Sequence, residues 1–543
     1  MSAVTMKKPT SINRLLSGML TAATLLFAAA VQAAAPGITG TGAVGTFNLT
    51  AAPSYISQPD GQMMYSWGYG CTANTATYLP ALATTPFCNL MQIPGPTMIV
   101  TEGQAVTVTL TNNLPTSAGN TSILFPGFQV TTTGGVAGLL TQEAAPAGTV
   151  TYTFTATSPG THSYYSGTQG DLQVEMGLYG AIIVLPTAAK VATACTGGAT
   201  NGSFGFAGAN GTAENAWKET DFRLAAAAYD HAKTCYDREY LFQFSEMDAN
   251  IHNQALAQVT AAGTCTAGAP GCSLNVPTEP YHPGYFLING RSMPDDMDPN
   301  YAPMYPHQPY NGNPHMHPGE QVLLRIIGQG RWQHPFHEHG NHVRILGRDG
   351  NLILSQTDPA SLAGPLLFTT TTTPGMTMDG IFYWTGKGLN WDAYGHNPAS
   401  TNSTTHAKDS CTPDANGYNT SAPTAINYYE WCQDHNKPLQ ANPFGDVPSG
   451  GPATLPDANL FTNGAWYGGS PYLGPDATVR AVGPTGVTPP SGTIANPPTT
   501  EAGFAFMWHS HNEREITTNN AFPGGMLMMM LVDSREFVID ESN

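Results

Sequence analysis

The stretch GPTMIVTEGQAVTVTLTNNLP, Gly95 to Pro115, sets apolar residues at every second position of its latter half, Val106, Val108 and Leu110, and breaks at Glu102-Gly103. A period of two puts those side chains on one face only if the chain is extended, so the stretch is two strands joined by a turn. GTVTYTFTATSPGTHSYYSG and LYGAIIVLP repeat the alternating or fully buried pattern, as do REYLFQFSEMDA, GEQVLLRIIGQG and HVRILGRDGNLI further on. With 59 Gly, 44 Pro and only 10% charged residues, the chain has turn signals in plenty and little material for long amphipathic helices. An all-β protein is expected.

At 543 residues the chain can bury a large core and is long enough for several domains. A first β unit is expected at 45–186. Residues 187–234, rich in Ala, Gly, Thr and Asn, are expected as a linker, with a short helix near AENAWKETDFRLAAAAYDHA. A second β unit follows at 235–540. It includes YFLINGRSMP, FAFMWHSH and GGMLMMMLVD, and is interrupted at about 396–501 by a Pro/Gly/Asn/Thr-rich insertion too long for an ordinary loop.

The N-terminus carries Lys7, Lys8 and Arg14, then LLSGMLTAATLLFAAA, then small residues at Val31 and Ala33. This pattern predicts a signal peptide over 1–33 and a protein exported to the periplasm or the extracellular space. No later run is apolar for the roughly eighteen residues a membrane-spanning helix needs. Beyond residue 33 remain 16 basic and 37 acidic residues, a formal charge of −21, which disfavours nucleic acid and favours cations.

Eight cysteines (Cys71, Cys88, Cys195, Cys235, Cys265, Cys272, Cys411 and Cys432) are an even count in an exported chain, so disulfides between sequence neighbours are expected, Cys265 with Cys272 foremost. None stands beside the histidine-rich segments.

Six of the sixteen histidines fall in two runs: HPFHEHGNH holds His334, His337, His339 and His342, and WHSH holds His509 and His511. Residues two apart in a strand point the same way, so His337/His339 and His509/His511 each make a two-pronged clamp. Imidazole suits copper, zinc, iron or nickel, and copper stands highest in affinity at a nitrogen site. A lone His-x-His is more often a satisfied structural pair, and His315/His317 are placed in that class. The alternating Met526, Met528 and Met530 are expected as core.

On these motifs the chain resembles the multicopper oxidases, built of cupredoxin-type β-sandwiches. The likeness spans most of the chain: GPTMIVTEGQAVTVTLTNNLP and PGTHSYYSGTQGDLQVEMGLYGAIIVLP in the first unit, YFLINGRSMP and PGEQVLLRIIGQG in the second. There HPFHEHGNH is similar to the family's HPxHxHGH, and WHSHNERE…PGGM to its HCHxxxH…GM. The resemblance implies tandem Greek-key sandwiches and copper as cofactor. It also implies a type 2 ligand at His337, type 3 ligands at His339, His509 and His511, a type 1 ligand at His334 and an axial methionine at Met526.

The departures are as informative. Phe125-Pro126-Gly127-Phe128 and Tyr165-Ser166-Gly167 stand where the family's first-domain histidine motifs would fall. Ser510 replaces the type 1 cysteine and Glu515 the second type 1 histidine. A blue-copper centre needs its thiolate, so none is expected. What remains is a reduced His-rich site for one copper, or two if His162, His342, Glu513 or Glu515 turns inward. Three functions stay open: a copper-dependent oxidoreductase acting on a small reductant or a metal ion; a non-catalytic copper-binding, copper-tolerance or structural envelope protein; and a metal-free interaction module in which the histidine pairs are remnants. The oligomeric state stays open as well.

Overall fold

The computed structural model describes residues 35–40, 44–71, 77–79, 88–195, 223–385, 413–415, 417–418, 469–472, 503–533 and 539. The expected signal peptide, Cys411 and Cys432, and most of the linker and of the insertion lie outside the described residues.

The first domain is a sandwich of two five-stranded sheets. One runs Met63–Cys71, Gly45–Ser57, Ala105–Asn112, Thr149–Thr155, Thr131–Gly134; the other runs Gly160–Tyr165, Tyr179–Leu185, Met98–Thr101, Gly37–Thr39, Thr77–Leu79. The alternation in sequence is the cause. Val106, Val108 and Leu110 sit opposite Phe154, Tyr152 and Val150, each at most 5% exposed, and close a core with Trp67, Tyr69 and Tyr164. Each such side chain contributes about 1.5–3 kcal/mol on leaving water. Gly37–Thr39 already belongs to this domain, upstream of residue 45.

The second domain repeats the plan with a seven-stranded sheet centred on Arg238–Met247, Gln321–Gly328 and Thr377–Tyr383, and a six-stranded sheet ordered His315–Met316, Leu527–Asp533, Gly503–Ser510, His334–Glu338, Thr369–Thr372. Parallel pairs such as Arg238–Met247 with Gln321–Gly328 mark strands that cross between sheets rather than simple hairpins. The aromatic and methionine core lies between the layers. Met526, Met528 and Met530 are fully buried in it, as their alternation required. From the insertion, Gly469–Tyr472 pairs with Gly503–Ser510. The described residues thus form an all-β protein of tandem cupredoxin-like sandwiches.

Two local features differ from the sequence reading. A 14-residue helix, Ala249–Ala262, follows the first long strand of the second domain, its start capped by Asp248 Oδ1 accepting the Asn250 N–H (2.9 Å). It buries Ile251 and Ala255 in the first domain's core. The helix expected near 213–232 is absent from its described part, which holds only the short 3-10 turn Ala232–Thr234. Disulfides join Cys71 to Cys88, Cys195 to Cys235 and Cys265 to Cys272.

Candidate metal centre

Strands His334–Glu338 and Gly503–Ser510 pair antiparallel with Phe336 opposite Ser510, His337 opposite His509 and Glu338 opposite Trp508. Phe336 and Trp508 are fully buried in the core. The pleat therefore sends their neighbours His337 and His509 to the outer face, and His339 and His511, two positions on, to the same side. The four rings gather there edge to face, with centroids 4.9 Å (His337–His339), 5.5 Å (His337–His509), 4.7 Å (His337–His511) and 5.1 Å (His339–His509) apart.

Hydrogen bonds set which nitrogens face inward. His509 donates its Nδ1–H to its neighbour's carbonyl, Ser510 O (2.7 Å), which leaves Nε2 as the lone-pair nitrogen, 3.3 Å from His339 Nε2. His337 Nδ1 shares a hydrogen bond with Thr369 Oγ1 (2.7 Å), on the strand beyond. Burial, and then the neighbouring His339, His511 and His509, push the His337 pKa down to about 3. Burial, with His511, also lowers that of His509. These two are neutral imidazoles, the form that binds a metal.

Among the described residues no three His, Cys, Asp or Glu side chains stand as a ready-made metal shell. The donor chemistry nonetheless suits one. Two nitrogens on a tetrahedral ion at the usual bond length of about 2.0–2.1 Å lie roughly 3.3 Å apart, the spacing of the His339–His509 pair.

His334 and Met526 are not brought to this cluster. They lie on the inner face, where His334 is fully buried between two carboxylates: its Nε2 donates to Glu246 Oε2 (2.8 Å) and its Nδ1 to Glu515 Oε2 (2.9 Å). Burial pulls its pKa down, but these hydrogen bonds and charges outweigh burial and push it up to about 9. Ser510 Oγ donates to the same Glu515 oxygen (2.5 Å). Glu246 further accepts the backbone N–H groups of Arg331 (2.7 Å) and Trp332 (2.8 Å). Both His334 nitrogens are thus occupied by protons, and neither offers a lone pair.

Of the other candidates, His342 packs on Phe368 at the rim of the cluster, and Glu513 Oε1 lies 3.3 Å from His511 Nδ1 at the exposed side. His162 lies in the first domain, its ring tilted against Phe128 with centroids 4.6 Å apart. His315 and His317 are buried against Asp533 at 2.7 and 3.1 Å, a structural pair as expected. Sequence reasoning missed Thr369, whose threonine run carries no local signal, and Glu246, which does leave one as an acid inside the apolar strand REYLFQFSEM.

The sequence profile of the family described as "Multicopper oxidase" matches residues 71–189. That match falls in the first domain, which is thereby similar to the multicopper oxidases. Similar solved structures include a multicopper oxidase named mgLAC (15% identity, 90% of this chain and 86% of that one, TM-score 0.42). A blue copper oxidase from Nitrosomonas europaea follows (15%, 90% and 85%, 0.41), with a copper nitrite reductase from the same organism (18%, 62% and 84%, 0.35). No curated protein matches the sequence.

Proposed function

We propose that the protein is an exported, copper-binding oxidoreductase whose reduced site is held by His337, His339, His509 and His511. The observation that carries this reading is the gathering of four imidazoles on the outer face of two paired strands. Copper, when bound, supplies one-electron redox chemistry. The chain's own part is to orient and to expose. Thr369 and the Ser510 carbonyl fix two of the rings, and the His511 side chain, 51% exposed, leaves one side open to a small reductant or a metal ion.

The type 1 place does not fit copper. Ser510 offers no thiolate, and His334 is doubly hydrogen-bonded to Glu246 and Glu515. No electron relay is therefore assigned there, and the reductant has to meet the four-histidine face directly. Three disulfides support an oxidising compartment. No helix among the described residues is long and apolar enough to cross a membrane.

The filled type 1 place also favours a second reading, copper capture without turnover. Metal analysis by mass spectrometry after Cu(II) loading, with EPR on the same sample, tests both. About one copper per chain with a type 2 signal, lost in His337→Ala/His511→Ala, is expected of a nitrogen site. Copper unaffected by that double change refutes the site. Reduction and reoxidation of the bound copper by phenols, Mn(II) or Fe(II) separates the enzyme from the capture protein.

A further inference from the structure

Where the two domains meet, a cavity of about 440 Å³ is lined by Pro126, Gly127, His162 and Ser163 of the first and by Asp349, Pro374, Gly375, Met376 and Thr377 of the second. None of its lining residues belongs to the histidine cluster.

The side-chain donors of this lining are spent on the protein itself. His162 Nε2–H donates to Ser158 O (2.9 Å), Ser163 Oγ–H to Gly375 O (3.4 Å) and Thr377 Oγ1–H to Thr161 O (2.5 Å). What remains is acceptors. With Nε2 carrying the proton, His162 Nδ1 holds a lone pair, and burial lowers the pKa of the ring and keeps it neutral. Asp349 uses Oδ1 to accept the Thr377 N–H (2.9 Å) and has its second carboxylate oxygen left. Gly127 keeps the imidazole reachable: a Cβ there would stand 3.4 Å from Nδ1.

We propose that this cavity binds a small organic cation bearing an ammonium group, with Asp349 and His162 Nδ1 accepting its hydrogen bonds and Pro126, Pro374 and Met376 covering its carbon skeleton. Volume decides against a bare metal ion. An ion fills about as much space as a water, roughly 30 Å³, whereas cavities of about 300–1,000 Å³ suit organic ligands and occur preferentially at domain interfaces. The acidic chain, at a formal −18, favours the same sign of ligand.

The test is calorimetric titration of the full chain at about 0.15 M salt, which screens unspecific surface attraction. The probes are 1,4-diaminobutane and ethanolamine, both primary ammonium ions at neutral pH, with 1,4-butanediol as the neutral counterpart of the diamine. Saturable binding of at least one ammonium probe, none of the diol, and a tenfold or greater weakening in Asp349→Asn and His162→Gln is the expected result. Asp349 is exposed with φ +49°, a conformation Asn tolerates, and Asn keeps an oxygen for the Thr377 N–H, so that variant retains the fold. Binding of neither ammonium probe, equal binding of the diol, or unchanged affinity in Asp349→Asn would overturn the proposal.

Discussion

Thr161 of the first domain donates both its backbone N–H (3.0 Å) and its hydroxyl (2.5 Å) to the carboxylate of Asp379 in the second. Tyr229 adds its hydroxyl (2.6 Å), and Arg325, fully buried on Glu239 (2.8 Å), stands 3.6 Å away. One carboxylate thus ties both domains and the segment leading into the second. Replacing Asp379 by Ala strands three donors in a dry joint. A loss of about 3–5 kcal/mol is expected in chemical denaturation, with Asp379→Asn costing less. An unchanged midpoint would show that the joint does not depend on this residue.

His334 gives stability a definite pH dependence. Its folded pKa of about 9 lies above the ordinary 6.5, so its contribution is fully present below about pH 6.5 and is lost as pH rises through 9. A shift of this size corresponds to about 3 kcal/mol. Thermal midpoints should fall across that window in the native protein, and the fall should flatten in His334→Gln. Equal slopes in the two proteins would contradict the Glu246–His334–Glu515 arrangement.

The strands were legible because Val106, Val108 and Leu110 had to share a face, and that rule also placed His337 with His339 and His509 with His511. It could not show that His334 and Ser510 belong to the opposite, inner face, nor that Glu246 reaches them from another sheet. Those relations depend on long-range pairing, which leaves no period in the sequence. The helix Ala249–Ala262 was hidden for a related reason: its buried face is small, only Ile251, His252 and Ala255, and it packs on the other domain.

Thr369 holds the His337 ring from behind. Substitution by Val removes the hydroxyl and keeps the shape and β propensity, so the strand should remain intact. Partners of this kind are typically worth about 10–100-fold in metal affinity. Copper titration of Thr369→Val should show weakening of that order with the number of coppers unchanged. An unaltered affinity would mean that the hydrogen bond does not orient a ligand.

Introducing a sulfur alone should not create a blue centre. In Ser510→Cys a thiolate becomes available, yet Glu515, which stands where the resemblance would put a second imidazole, still accepts the His334 Nδ1–H, so no nitrogen lone pair faces it. The double change Ser510→Cys/Glu515→His removes that acceptor, supplies a second imidazole and frees His334 Nδ1, while Glu246 keeps Nε2 in place. Met526 is already buried on that side, its carbonyl accepting the Ser510 N–H (3.0 Å). Visible absorption after Cu(II) addition should stay weak in the single variant and become intense in the double, because the blue-copper transition requires thiolate and imidazole on one metal. Intense colour in the single variant would show that His334 gives up its proton to copper, and that the two carboxylates hold it less firmly than their geometry indicates.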